Sequence, residues 1–166
     1  MIIKLYMNTN SLIDTKAQNI LDYWFEGNRF RKMWFSSKED EYIKTNYLHL
    51  LLQAQNNELD HWKDCIDSYV ALIILLDQFT RNIYRNTKKR NMNDKFALEL
   101  AMEFLEKSYD ESIPIAMKIF VLMPLRHTFN KYYYDIIFTK ISKYTDSNEP
   151  IMIKFIDTTK RIYDRL

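Results

Sequence analysis

An all-α fold of about seven helices is predicted by three observations. The chain of 166 residues holds one glycine and three prolines, too few for the tight turns of a strand-rich fold, whereas helix interiors exclude both residues. Apolar residues recur at i, i+3, i+4 and i+7 over most of the sequence. One stretch, Tyr69 to Arg85 (YVALIILLDQFTRNIYR), begins with three turns that are apolar nearly all round, the pattern of a helix surrounded by others. With 28% charged and 15% aromatic residues there is ample material for a core. The length suits one helical domain over residues 14–166, preceded by a short N-terminal tail over 1–13.

Asp14 or Thr15 can cap a first helix carrying Ala17, Ile20, Leu21, Trp24 and Phe25, and Gly27 stands where a left-handed residue would end it. Ser36 and Glu39 have capping-box spacing ahead of a second helix, which uses Tyr42, Ile43, Tyr47, Leu50, Leu51 and Ala54 and closes at Asn56 and Asn57. Leu59 and Trp62 anchor one short turn, and Asp64 or Ser68 starts the central helix. Asn86 to Asp94 is a polar, basic loop. Beyond it Ala97, Leu100, Ala101, Phe104 and Leu105 form an apolar stripe, with Lys95, Glu99, Glu103 and Glu106 facing water. Ser112 and Pro114 open the next helix, which Pro124 is expected to break or kink because it supplies no N–H. A helix over about 131–144 follows. A last one begins in the segment DSNEP, with Met152, Phe155, Ile156, Thr159, Tyr163 and Leu166 as its seam. Short loops argue for an array of antiparallel helical hairpins packed side by side.

The net charge of +2 gives no whole-molecule argument for nucleic acid or membrane. A single cysteine, Cys65, no signal-type apolar segment and no run of eighteen apolar residues point to a cytoplasmic protein without a membrane partner. The motifs GxSxG, HExxH and CxxC are absent, as are glycine-rich phosphate loops. His61 and Cys65 are four apart with no second pair at ligand spacing, so no metal and no cofactor is expected. Arg81, Arg85, Lys88, Lys89 and Arg90 concentrate positive charge, but with only Tyr84 as an aromatic partner they read as a solvated loop rather than a nucleic-acid surface. The oligomeric state is left open.

The functional lead is the polar end of the central helix: Asp77, Gln78, Arg81, Asn82, Tyr84 and Arg85. Asp77 and Arg81 lie one turn apart on a stripe that is apolar before them, and ionised groups on a buried stripe need partners. Two readings stay open: an anion or carboxylate pocket in which Arg81 and Arg85 bind while Asp77 fixes Arg81 or acts as a base, or a structural ion pair. His127, at a helix corner, joins Asp77 as a candidate catalytic residue. Trp24 and Trp34 are candidate groove-lining aromatics. Since no complete catalytic constellation can be assembled, a binding or adaptor module for a peptide or small anionic ligand is favoured. The alternative is a small-molecule enzyme, such as a hydrolase, acting on an anionic substrate through Asp77, Arg81 and His127. Convergence of these three on an enclosed pocket would favour the enzyme.

The stretch LLDQFTRNIYR, Leu75 to Arg85, resembles the LLDQFPRNIYR motif of a bacterial family of uncharacterised proteins, domain of unknown function 924, with Thr80 in place of proline. LDYWF (Leu21 to Phe25), MWF (Met33 to Phe35), ELDHW (Glu58 to Trp62) and LMPLRH (Leu122 to His127, similar to the family's LPFEH) extend the resemblance from about Ile20 to Tyr163. It implies an all-helical, TPR-like superhelix and transfers no activity, so function must be argued from the site. Two departures bear on that site. Arg126 stands where the family usually has a glutamate before the histidine, reversing a charge. An FPHRN-like segment after the last helix is absent before Leu166, so a pocket completed by it would be open or altered here.

Overall fold

The computed structural model describes residues 12–28 and 37–166, and among them the chain is all-α, with seven helices and no strand. The expected tail over 1–13 lies almost wholly outside the described residues, as do Trp34 and Ser36. Helix α1 (Thr15–Phe25) is capped by Asp14, whose Oδ1 accepts from the backbone N–H of Lys16 at 2.8 Å and of Ala17 at 3.4 Å. Beyond its end Gly27 takes φ 57°, a conformation glycine adopts without steric cost. The capping box expected ahead of helix α2 (Asp40–Gln55) involves Ser36 and so lies outside the described residues. Glu39 is itself the residue preceding the helix, and its carboxylate accepts from the Tyr23 hydroxyl at 2.7 Å. Tyr42, expected in the α2 seam, is exposed and stacks on Tyr23 at 4.9 Å.

The central helix α3 follows a 3₁₀ turn (Asp60–Asp64) that buries Trp62. It starts one residue after Cys65, so neither Asp64 nor Ser68 caps it. It is assembled from an α segment (Ile66–Ile74), a π turn (Leu75–Phe79) and a closing α turn (Thr80–Ile83). Ser68 through Thr80 are all buried, in keeping with a helix packed on every side. Its neighbours are α1, α2, α4 (Asp94–Glu106) and α5 (Ile115–Arg126). Helix α5 packs in turn on α6 (Lys131–Ile141) and α7 (Pro150–Tyr163). The aromatic core joins Trp24 to Phe79 and Phe120 at 5.5 and 5.4 Å, fastening α1 to both α3 and α5.

Pro124 does not break α5, which continues to Arg126. Lying in the last turn, it forfeits a single hydrogen bond while its ring is buried, so burial outweighs the local loss. The chain turns instead at His127 to Asn130, where Phe129 has φ 51°. In α7, Met152, Phe155 and Thr159 are buried, but Leu166 lies beyond the helix and is 44% exposed, so the seam ends sooner than its spacing predicts. No helix among the described residues is long and apolar enough to cross a membrane.

Candidate functional site

The π turn Leu75–Phe79 carries Asp77 and Gln78, and its wider coil shifts the register between the apolar first half of α3 and the polar end that follows. Side-chain bonds hold the turn: the Thr80 hydroxyl donates to the Leu76 carbonyl at 2.7 Å and accepts from Asn93 Nδ2 at 2.8 Å. Asn93 accepts in turn from Gln55 of α2 at 3.1 Å, so α2, α3 and the start of α4 share one buried polar chain.

Asp77, Arg81 and His127 converge. The Asp77 side chain is 1% exposed, and its Oδ1 lies 2.8 Å from His127 Nδ1 and 3.6 Å from Arg81 Nε. Gln78 Nε2 donates to the other carboxylate oxygen. His127 Nδ1 is also 3.2 Å from Arg81 Nε, and one ring nitrogen cannot donate to the carboxylate while accepting from the guanidinium. The shorter contact and the charge of the acceptor assign the proton to Nδ1, donating to Asp77. With a single proton on the ring, Nε2 is then the free lone pair. Burial by itself would raise the Asp77 carboxyl, but its contacts with His127, Arg81 and Gln78 more than offset this and hold it below the ordinary carboxylate value.

Two further carboxylates fix the arginines. Arg81 Nη2 donates to Asp94 at 2.8 Å, the first residue of α4. Arg85 makes a two-pronged contact with Asp40 of α2, at 2.6 and 3.0 Å, and Asn82 Nδ2 donates to the same carboxylate at 2.9 Å. The hydrogen bond to Asp40 is the main reason the Arg85 guanidinium sits above its ordinary value. Neither Asp40 nor Asp94 stands out in the sequence as a site residue. Each is an acidic residue in a first helical turn, a position that ordinarily signals nothing more than a helix start.

A cavity of about 180 Å³ opens beside this cluster. Trp24, Gln78, Arg81, Asn82, Arg85 and His127 line it, all singled out from the sequence. Arg90, Met123, Arg126, Lys154 and Thr158 complete its wall. Arg90 reaches this wall from the loop, although like Lys88 and Lys89 it is exposed. Tyr84 is not in the wall. Its ring packs against the core and lies under Lys89 Nζ at 5.9 Å. His61 sits elsewhere, 3.6 Å from the Asp14 carboxylate. A nitrogen base oriented by a buried carboxylate, facing a small cavity walled by guanidinium groups, can take a proton from a bound hydroxyl or water and stabilise an anion beside it.

No curated protein matches the chain. A solved structure of a protein of unknown function, ATU0120 from Agrobacterium tumefaciens, shares the fold with a TM-score of 0.74 at 22% identity, over 90% of this chain and 81% of that one. A family model described as "Bacterial protein of unknown function (DUF924)" matches residues 20–164, nearly the whole chain, and the protein belongs to that family.

Proposed function

We propose that the chain is a small-molecule enzyme whose cavity binds an anionic substrate and whose His127, oriented by Asp77, acts as a general base. The observation that supports this reading most strongly is the 2.8 Å contact between a carboxylate 1% exposed and a ring nitrogen at the cavity wall. A purely structural clamp could pair Asp77 with Arg81 alone. Spending a buried carboxylate on a histidine leaves Nε2 with a lone pair and a fixed direction. In hydrolysis, Nε2 takes a proton from water as the oxygen attacks an ester carbon or phosphorus. The developing charge rests near Arg81, and the proton is returned to the departing alkoxide oxygen.

A peptide-binding or adaptor role, as in TPR-like arrays, requires a longer groove than this cavity. The groove between α1 and α5, of about 640 Å³ and lined in part by Leu21, Phe25, Pro114 and Met117, is the described surface that favours it. A panel of chromogenic phosphate and carboxylate esters separates the two readings. Wild type is expected to hydrolyse at least one class, and His127→Gln and Asp77→Asn to lose roughly 10²-fold or more in kcat with the fold retained. Turnover that is absent throughout, or indifferent to His127, would leave the adaptor reading.

A further inference from the structure

The cavity wall is cationic from four separate segments and contains no carboxylate among the described residues. Arg81 and Arg85 are held by Asp77, Asp94 and Asp40. Arg126 differs: among the described residues its guanidinium meets no carboxylate and lies on the face of the Phe155 ring, 4.9 Å from its centre. Burial pushes this guanidinium below its ordinary value, and the nearby Tyr134 and Asp77 offset the fall only in part. A desolvated cation costs stability in the empty protein and is relieved by an anion placed against it.

We propose that Arg126, with Arg90 and Lys154, forms the seat of a phosphate group, so that the ligand of this cavity is a small phosphorylated metabolite. The assignment deepens the small-molecule reading above and rests on it. The three cations reach the cavity from α5, the loop before α4 and α7, a set that suits a group with oxygens on all sides. A planar carboxylate presents two oxygens and is satisfied by a single guanidinium fork. At about 180 Å³ the cavity exceeds the roughly 150 Å³ that accommodates a benzene ring, enough for a phosphate and a short organic remainder lying against His127.

The test is isothermal titration of the full chain with inorganic phosphate, without turnover, so that it stands apart from the general-base chemistry. Arg126→Met is expected to weaken binding at least about tenfold, Arg126→Lys to retain part of it, and Lys154→Met, on an exposed position of α7, to weaken it less. If Arg126→Met does not fold, Lys154→Met decides. Absence of phosphate binding by wild type, or binding unchanged in both methionine variants, overturns the seat. Acetate bound as tightly as phosphate overturns the choice of phosphate.

Discussion

Asp77 is the residue on which the site turns, and its environment fixes how the protein responds to acid. Its carboxyl is depressed in the folded state below the ordinary 3.8, so its ionised form contributes stability that is fully present above that value and is lost as the pH falls through the lower folded value. Acid unfolding of wild type is accordingly expected to be steeper below about pH 4 than that of Asp77→Asn, as followed by circular dichroism. Arg81→Ala removes one of three groups facing Asp77 and the cation on Asp94, while His127 and Gln78 remain. A loss of about 2 to 3 kcal/mol in urea unfolding is expected, less than when a buried charge keeps no other partner. The sequence exposes Asp77, Arg81 and Arg85 because ionised residues interrupt an apolar stripe. Asp40 and Asp94 are not legible there, since partners contributed by other helices leave no local signal.

At the scale of elements, the π turn is what periodicity misses. Steps of 100° per residue carry the reading smoothly from Tyr69 to Arg85, but the wider turn at Leu75–Phe79 inserts a register shift that a uniform helix does not show. Thr80 is the residue that secures it. Thr80→Val leaves Asn93 Nδ2 without its acceptor inside the core, and a loss of about 1 to 3 kcal/mol in chemical denaturation is expected. A second buried cluster ties other elements together. Lys118 of α5, 0% exposed, lies 3.5 Å from Asp110 and 3.3 Å from the Tyr144 hydroxyl, while Lys140 of α6 reaches the same aspartate at 3.2 Å. Lys118→Met leaves Asp110 with Lys140 as its remaining cation, and a loss of about 3 kcal/mol is expected, partly recovered by adding Asp110→Asn. Lys118 sits among apolar residues that the sequence reads simply as helix, so nothing in its spacing announces this pair.

For the molecule as a whole, composition and periodicity carry the helix count and most of the core, because each depends on residues close in sequence. They carry less at the surface. Glu103, expected to face water, bridges Lys107 at 2.7 Å and Lys63 at 3.4 Å. Since these groups are partly solvated, Glu103→Ala is still expected to cost no more than about 1 kcal/mol. Tertiary convergence is the other loss: fifty residues separate Asp77 from His127, and only the packing of α5 on α3 brings them together. The orientation of that histidine is the most direct test of the site. The chain has three histidines, so long-range ¹H–¹⁵N spectra of wild type and His127→Gln identify the His127 ring. The expected result is a ring proton on Nδ1, with a bare Nε2, and a loss of that Nδ1–H signature in Asp77→Asn. A proton on Nε2, with Nδ1 accepting from Arg81, would contradict the general-base assignment.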